Sequence, residues 1–259
     1  METKLDLTYS DFLLGKKKRR ISNPSEDLKA YQRSKLSKLE KIYFDLLQSD
    51  YKEIHSVPHG FVSGRNCVTA AECHIGYDMT IMLDISKFFD SVTNNMVAKV
   101  SFEASNDKYL FHNLGYTAQG FPTSPILCNI ASLPFLLEIK KFLSSIYDQF
   151  AFTIYADDIQ ISIDRKYTLK SREENIIIKK VVQIAEKFNL TINKNKTRVR
   201  YNKYGFRRIL GINVGSECIR ATRQTIRKIR AAKHKKKHHS FCGLTTWSKC
   251  YKPKKVRKL

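Results

Sequence analysis

The sequence predicts an α+β fold, a mostly antiparallel sheet with helices packed against it, and three patterns carry that expectation. Leu28, Leu36, Leu39, Ile42, Tyr43, Leu46 and Leu47 recur at helical spacing, so residues 24–48 read as one amphipathic helix. The apolar run Thr80-Ile81-Met82-Leu83 ends at Asp84, and Phe152-Thr153-Ile154-Tyr155 ends at Ala156-Asp157-Asp158; both read as buried strands. Ile159, Ile161 and Ile163 then alternate with polar residues, which places Asp157-Asp158 at the tip of an antiparallel hairpin.

The remaining elements follow in chain order. Asn23 as N-cap, Pro24 at the first helical position and Glu26 three residues after the cap predict the start of the first helix. Ser56 to Asn66, with Pro58, Gly60 and Gly64, predicts a loop. Ser171 to Asn189 reads as a helix, with Ser171 capping and Glu174 in the capping-box position. Thr197–Tyr201 and Arg208–Val214 read as strands joined by a turn around Tyr204-Gly205. Gln224 to Lys237 predicts one strongly basic helix, whose apolar stripe of Ile226, Ile229 and Ala232 is thin.

Composition narrows the function. With 42% hydrophobic and 27% charged residues, the 259-residue chain is neither disordered nor fibrous. Lys and Arg outnumber Asp and Glu by 47 to 24, a net charge of +23, so a polyanion is the expected partner: nucleic acid first, an anionic membrane surface a distant second. Ile219 to Leu259 alone carries 15 Lys or Arg and no acid. Met1 to Ser10 has acids where a secretory h-region would be apolar, and the uncharged stretch 109–137 contains Pro122, Pro125 and Pro134 with Asn113, Gln119 and Asn129, a poor membrane span. A cytoplasmic chain with no membrane partner is expected. The six cysteines form no C-x-x-C pair, so buried reduced thiols are expected; His234, His238, His239, Cys242 and Cys250 crowd the tail without matching a standard zinc spacing.

Two buried strands that end in carboxylates raise a chemical question, because a desolvated anion without a partner costs several kcal/mol. A hard divalent ion answers it: Mg²⁺ takes one or two protein carboxylates and completes its shell with water and substrate phosphates. Two such ions about 4 Å apart would activate a hydroxyl and stabilise a leaving pyrophosphate. The competing reading of Asp157-Asp158 is an ordinary turn, where Asp is common.

Read in order, the motifs resemble the reverse transcriptase family. Leu83-Asp84-Ile85-Ser86-Lys87-Phe88-Phe89-Asp90 is similar to its motif A, Gln119-Gly120-Phe121-Pro122-Thr123-Ser124-Pro125 to motif B, and Tyr155-Ala156-Asp157-Asp158 to the Y-x-D-D box of motif C. Asn193-Lys194-Asn195-Lys196-Thr197 resembles motif D and Ile209-Leu210-Gly211 the primer-grip motif E. Arg19 to Pro24, running on to Leu28-Lys29-Ala30-Tyr31-Gln32, resembles the R-x-I-x-x-P…L-K-x-x-Q fingers segment of bacterial members. The segments span roughly residues 19–214 in the family's order.

The resemblance implies a right-hand polymerase: fingers over 1–79, a palm over 80–215 with part of 93–118 returning to the fingers, and a short basic thumb or tail over 216–259. It implies RNA-directed DNA synthesis with two Mg²⁺ ions, Mn²⁺ being a substitute, held by Asp84, Asp157, Asp158 and the backbone carbonyl of Ile85. Phe89 would be the steric gate that leaves no room for a 2′-hydroxyl; adjacent strand residues face opposite ways, so one of Phe88-Phe89 is expected in the core. Gln119 and Gly120 would contact the incoming nucleotide, Arg19 with the 16–18 lysines its triphosphate, and Lys196 would protonate pyrophosphate. Arg223, Arg227, Arg230, Lys235, Lys236 and Lys237 would bind nucleic-acid phosphates.

Partners implied are an RNA template, in this group a dedicated non-coding RNA, together with the DNA product and deoxynucleotides; a homo-oligomer or a partner effector protein also fits. Within the family the chain looks most like the retron and phage-defence group. Ala70 stands where retron enzymes carry Asn in their N-A-x-x-H box, of which Ala71 and His74 are kept, and Ile209-Leu210-Gly211 stands near their V-T-G triplet. These departures favour a related defence-associated lineage, with a retron second. His74 is expected to be a structural histidine. Two rival readings are a silent RNA-binding scaffold and an RNA-making or untemplated polymerase.

Overall fold

The computed structural model describes residues 5–16, 18–164 and 173–249. The chain opens with an antiparallel hairpin, β1 (Tyr9–Leu14) and β2 (Arg19–Pro24), and continues into the long helix α1 (Glu26–Gln48) and the short α2 (Cys67–Glu72). β3 (Met79–Asp84) leads into three short helices, α3 (Phe88–Ser91), α4 (Asn94–Ala98) and α5 (Phe102–Ser105), and then the buried α6 (Ser124–Ser144). β4 (Phe150–Tyr155) and β5 (Asp158–Ile163) form the expected hairpin; α7 (Glu173–Lys187), β6 (Arg198–Tyr201), β7 (Arg207–Ile209), β8 (Ile212–Val214), β9 (Ile219–Ala221), α8 (Arg223–His234) and α9 (His238–Lys249) complete the chain.

The central sheet has the order β4-β5-β3-β6, antiparallel throughout. Strand alternation splits its residues between two faces. Ile81 and Leu83 of β3, Ile159, Ile161 and Ile163 of β5, and Phe152 and Ile154 of β4 join α1, α6 and α7 in one apolar core. Thr80, Gln160, Ser162, Thr153 and, at one end, Asp84 and Asp158 occupy alternate positions on the other face. The second half of the uncharged stretch 109–137 is α6, most of which is buried in that core, and no described helix is long and apolar enough to cross a membrane.

Several expectations are corrected. The first helix is capped by Ser25, whose Oγ accepts from Leu28 N at 3.1 Å, and not by Asn23. Pro24 closes β2 opposite Tyr9, because the preceding residues are recruited into a hairpin that the basic run concealed. The run Arg208–Val214 is two strands, since Leu210 (φ 47°) and Gly211 (φ 80°) are both left-handed and turn the chain back, pairing Ile209 with Ile212. Phe88 and Phe89 lie on α3, not on a strand; Phe88 is the buried member. α8 stops at His234, so Lys235–Lys237 form the link to a helix, α9, that the sequence pattern did not reveal. Among the described cysteines Cys128 is buried and Cys73 and Cys242 are exposed, so the buried-thiol expectation holds for part of the set. Cys250, Lys17 and the expected cap Ser171 lie outside the described residues.

Candidate active site

The carboxylates meet because of strand register. β3 and β5 pair antiparallel with Asp84 directly opposite Asp158, and Ile85 N donates to the Asp157 carbonyl at 2.9 Å. The turn that carries Asp157 needs Ala156 at φ 55°, a conformation that side chains with a Cβ adopt only when their surroundings fix it. Those surroundings are the loop 57–60. Ile154 N donates to Val57 O at 3.0 Å and His59 N to Ile154 O at 2.8 Å, which lays the loop along β4. A Cβ on Gly60 would sit 2.3 Å from Ala156 N, so glycine alone permits this approach. Asn129 on α6 holds the same residue from behind, donating Nδ2 to Gly60 O at 3.1 Å.

Crowding three acids at one sheet end shows in their protonation. Burial, then the negative charges of Asp157 and Asp84, push the Asp158 carboxyl up to about 6. Asp157 is also raised, by burial first, while Lys196 and Arg19 act in the opposite direction. Lys196 Nζ donates to Asp84 Oδ1 at 2.5 Å, and this bond raises the affinity of the lysine for its proton. A tight turn delivers Lys196: Asn193 N donates to Asp84 O at 2.7 Å and Lys196 N to Asn193 O at 3.1 Å. Among the described residues no group of three His, Cys, Asp or Glu side chains forms a ready metal cage. The donors that do converge are hard carboxylate oxygens, Asp84 buried and Asp157 and Asp158 half-buried. That suits an ion such as Mg²⁺, which needs few protein ligands.

Two aromatic rings come from segments that adjoin the carboxylates, Phe89 from the helix after β3 and Phe61 from the loop at Gly60. Phe89 is half-buried, and its carbonyl accepts from Thr117 Oγ1 at 2.6 Å. Phe61, exposed and at φ 57°, places its ring centroid 6.2 Å from that of Phe89. Phe61 was not singled out by the sequence; the signal was its place after Gly60, in a loop whose role becomes visible only once it is laid on the Asp157 turn. Gln119 and Gly120 line up with the β1–β2 hairpin: Ser22 N donates to Gln119 O at 2.9 Å, and Gly120, at φ 119°, has no room for a Cβ, which would fall 2.2 Å from Ser22 O. Arg19 is exposed at the start of β2 and close enough for its charge to act on Asp157. Arg223, Arg227 and Arg230 are exposed on α8, and Lys235, Lys236 and Lys237 are exposed in the link after it.

A second group, in which His74 was expected from the sequence and Arg207 was missed, braces the sheet from its polar face. His74 is fully buried, with Nδ1 2.8 Å from Ser162 Oγ and Nε2 2.8 Å from Thr153 Oγ1, as a structural histidine should be. Arg207, also fully buried, donates to Thr80 Oγ1 at 2.9 Å and to His74 O at 2.7 Å, tying β7 to the central sheet. Burial lowers its guanidinium to about 10. Nothing in the pair Arg207-Arg208 distinguishes the buried arginine from the exposed one.

Sequence and backbone comparisons place the chain among known proteins. Retron Mx162 reverse transcriptase of Myxococcus xanthus is 29% identical over 258 residues, covering 85% of this chain and 50% of that protein. Retron Ec86 reverse transcriptase of Escherichia coli is 28% identical over 250 residues, covering 88% and 67%. The chain thus spans half to two thirds of the length of these relatives. Both are retron enzymes, despite the departures at Ala70 and Ile209-Leu210-Gly211. In backbone, the chain follows telomerase from Candida albicans in complex with a TWJ fragment of telomeric RNA (TM-score 0.57, 14% identity, 82% of this chain and 45% of that one) and apo telomerase from Candida tropicalis (TM-score 0.57, 13% identity, 80% and 46%). These likenesses show the fold: helices and antiparallel sheets in a reverse transcriptase arrangement. The family model for reverse transcriptase (RNA-dependent DNA polymerase) matches residues 11–246, most of the chain, and the protein belongs to that family.

Proposed function

We propose that the chain is an RNA-directed DNA polymerase, and the observation that carries this is the register that sets Asp84 opposite Asp158 with Asp157 in the adjoining turn. In this reading residues 1–79 are fingers, 80–215 the palm and 216–259 a short basic thumb. Asp84, Asp157, Asp158 and the Ile85 carbonyl would hold two Mg²⁺ ions, which when bound activate the primer hydroxyl and neutralise the triphosphate. The protein supplies the rest. Phe89 closes the space under the sugar, Gln119 and Gly120 border the nucleotide, and Arg19 holds phosphate charge. Lys196, bonded to Asp84, would give its proton to the departing pyrophosphate. A dedicated non-coding RNA is the proposed template and phage defence the proposed setting; both rest on the resemblance of the motifs to the retron and phage-defence group.

Primer extension on an RNA template tests the chemistry. Asp157→Ala and Asp158→Ala are expected to abolish deoxynucleotide incorporation while RNA affinity stays within about twofold of wild type. Unchanged biological activity in those variants would leave the protein an RNA-binding scaffold. Sequencing the nucleic acid that co-purifies from the native host tests the setting: one abundant RNA with matching complementary DNA is expected, and a random RNA population would overturn the dedicated template.

A further inference from the structure

The connector between β6 and β7 displays aromatic rings that no part of the polymerase reading uses. Tyr204 is 78% exposed and Phe206 46% exposed. Large aromatic surface left in water forfeits the gain of burying it, and here two such rings occur within three residues. Each carries a cation. The Lys203 Nζ lies 4.9 Å from the Tyr204 ring centroid, and the Arg220 guanidinium 5.2 Å from that of Phe206. Both rings are held from one side: Tyr201 meets Tyr204 edge-on at 6.1 Å, and Phe206 rests on Gly215, where a Cβ would come within 2.8 Å of its ring.

The charge around them has one sign. From Phe188 to the end of the chain the single acidic residue is Glu217, while Arg198, Arg200, Lys203, Arg208 and Arg220 surround the connector in sequence. The location is also distinct. Tyr201 pairs with Met79, five residues or about 17 Å along β3 from Asp84. Phe206 precedes the strand residue that pairs with Val214, the opposite end of the β7–β8 hairpin from its Leu210-Gly211 turn.

We propose that Tyr204 and Phe206, with Lys203 and Arg220, form a stacking platform for single-stranded RNA outside the catalytic site. Aromatic faces accept any base, and cations beside them meet the phosphates, so the platform binds without sequence preference. The two Cα atoms are at most about 7 Å apart, a span that successive unstacked nucleotides can bridge. The polymerase reading contributes only the identity of the polynucleotide, the RNA that leads into the site.

Anisotropy with a labelled 20-residue oligouridylate, read on the full chain at about 50 and 300 mM salt, tests the platform. Tyr204→Ala, a change at an exposed ring, is expected to weaken binding about tenfold at the higher salt, where stacking outlasts phosphate contacts, and Tyr204→Trp to restore it. Lys203→Gln is expected to lower the salt slope by about 0.7. An RNA duplex of the same length should bind Tyr204→Ala and wild type alike, since its bases are not free to stack. If Tyr204→Ala holds oligouridylate within twofold of wild type at both salts, or loses duplex affinity equally, the platform is refuted. Extension of a short annealed primer by Tyr204→Ala should match wild type. Failure of wild type to extend it at all would count against the polymerase and leave the binding result to judge the platform.

Discussion

At the scale of single residues, Phe88 and Phe89 show how much a sequence can say. The pair announces that one ring is core, and the structure makes it Phe88, with Phe89 half-buried beside Phe61. Phe89→Ala is expected to reduce discrimination against ribonucleotides by about tenfold or more, because removing a ring opens the volume under the sugar. Incorporation ratios of matched ribo- and deoxynucleotides measure this, and an unchanged ratio removes Phe89 as the gate. His74 makes a prediction about pH. Burial, followed by the Arg207 charge, lowers its imidazole to about 3, and burial lowers His59 to about 4. Both folded values lie below the ordinary 6.5, so the unfolded chain takes up protons that the folded chain refuses. The stability associated with these neutral imidazoles is therefore complete above pH 6.5 and declines as pH falls towards 4, by at most about 1.4 kcal/mol per pH unit for each histidine. Urea titrations from pH 8 to 4 should show that decline, and His74→Gln should flatten it.

At the scale of elements, strands with strong alternation were legible and backbone junctions were not. β3, β4 and β5 emerge from apolar runs that stop at carboxylates, and the hairpin that carries Asp157 follows from the isoleucines at 159, 161 and 163. The β1–β2 hairpin was hidden because Phe12, Leu13 and Leu14 are exposed, so no core-facing alternation marks its first strand. The Arg207 brace was hidden for the opposite reason: its partners are backbone carbonyls and a threonine, which leave no charge pattern in the sequence. Gly60 is where local geometry bears on the site. Gly60→Ala would drive a methyl into Ala156 N and must move either the loop or the Asp157 turn. A stability loss of about 1–3 kcal/mol is expected, together with a fall in polymerase turnover. Gly243→Ala is the matched control, since α9 leaves open space around that position and alanine favours helix. Denaturant midpoints and single-turnover rates separate the outcomes; a Gly60→Ala enzyme with wild-type values would mean that the loop does not position the turn.

At the scale of the whole molecule, the acidic cluster and the densest positive charge lie on different elements, which makes their proposed roles separable. Asp84, Asp157 and Asp158 sit at one sheet end, whereas the densest positive charge lies on α8 and in the link to α9. Ala232 is buried and Trp247 packs against the cluster of Ile209, Ile212 and Val214, so this basic region is attached to the folded body and presents its charge from a fixed surface. The charge excess was plain from composition; its anchoring was not, because one alanine and one tryptophan make too thin an apolar stripe to read. Replacing Lys235, Lys236 and Lys237 with glutamine should therefore weaken RNA binding without altering the site. The slope of log affinity against log salt is expected to fall by about 2 for single-stranded RNA, since each neutralised phosphate contact contributes about 0.7. Turnover on a saturating primer–template should stay within about twofold of wild type, because none of the three lysines belongs to the site around Asp84. Binding measured from 50 to 300 mM salt decides the matter: an unchanged slope would place the RNA on another face, and lost turnover at saturation would make the link part of the catalytic assembly.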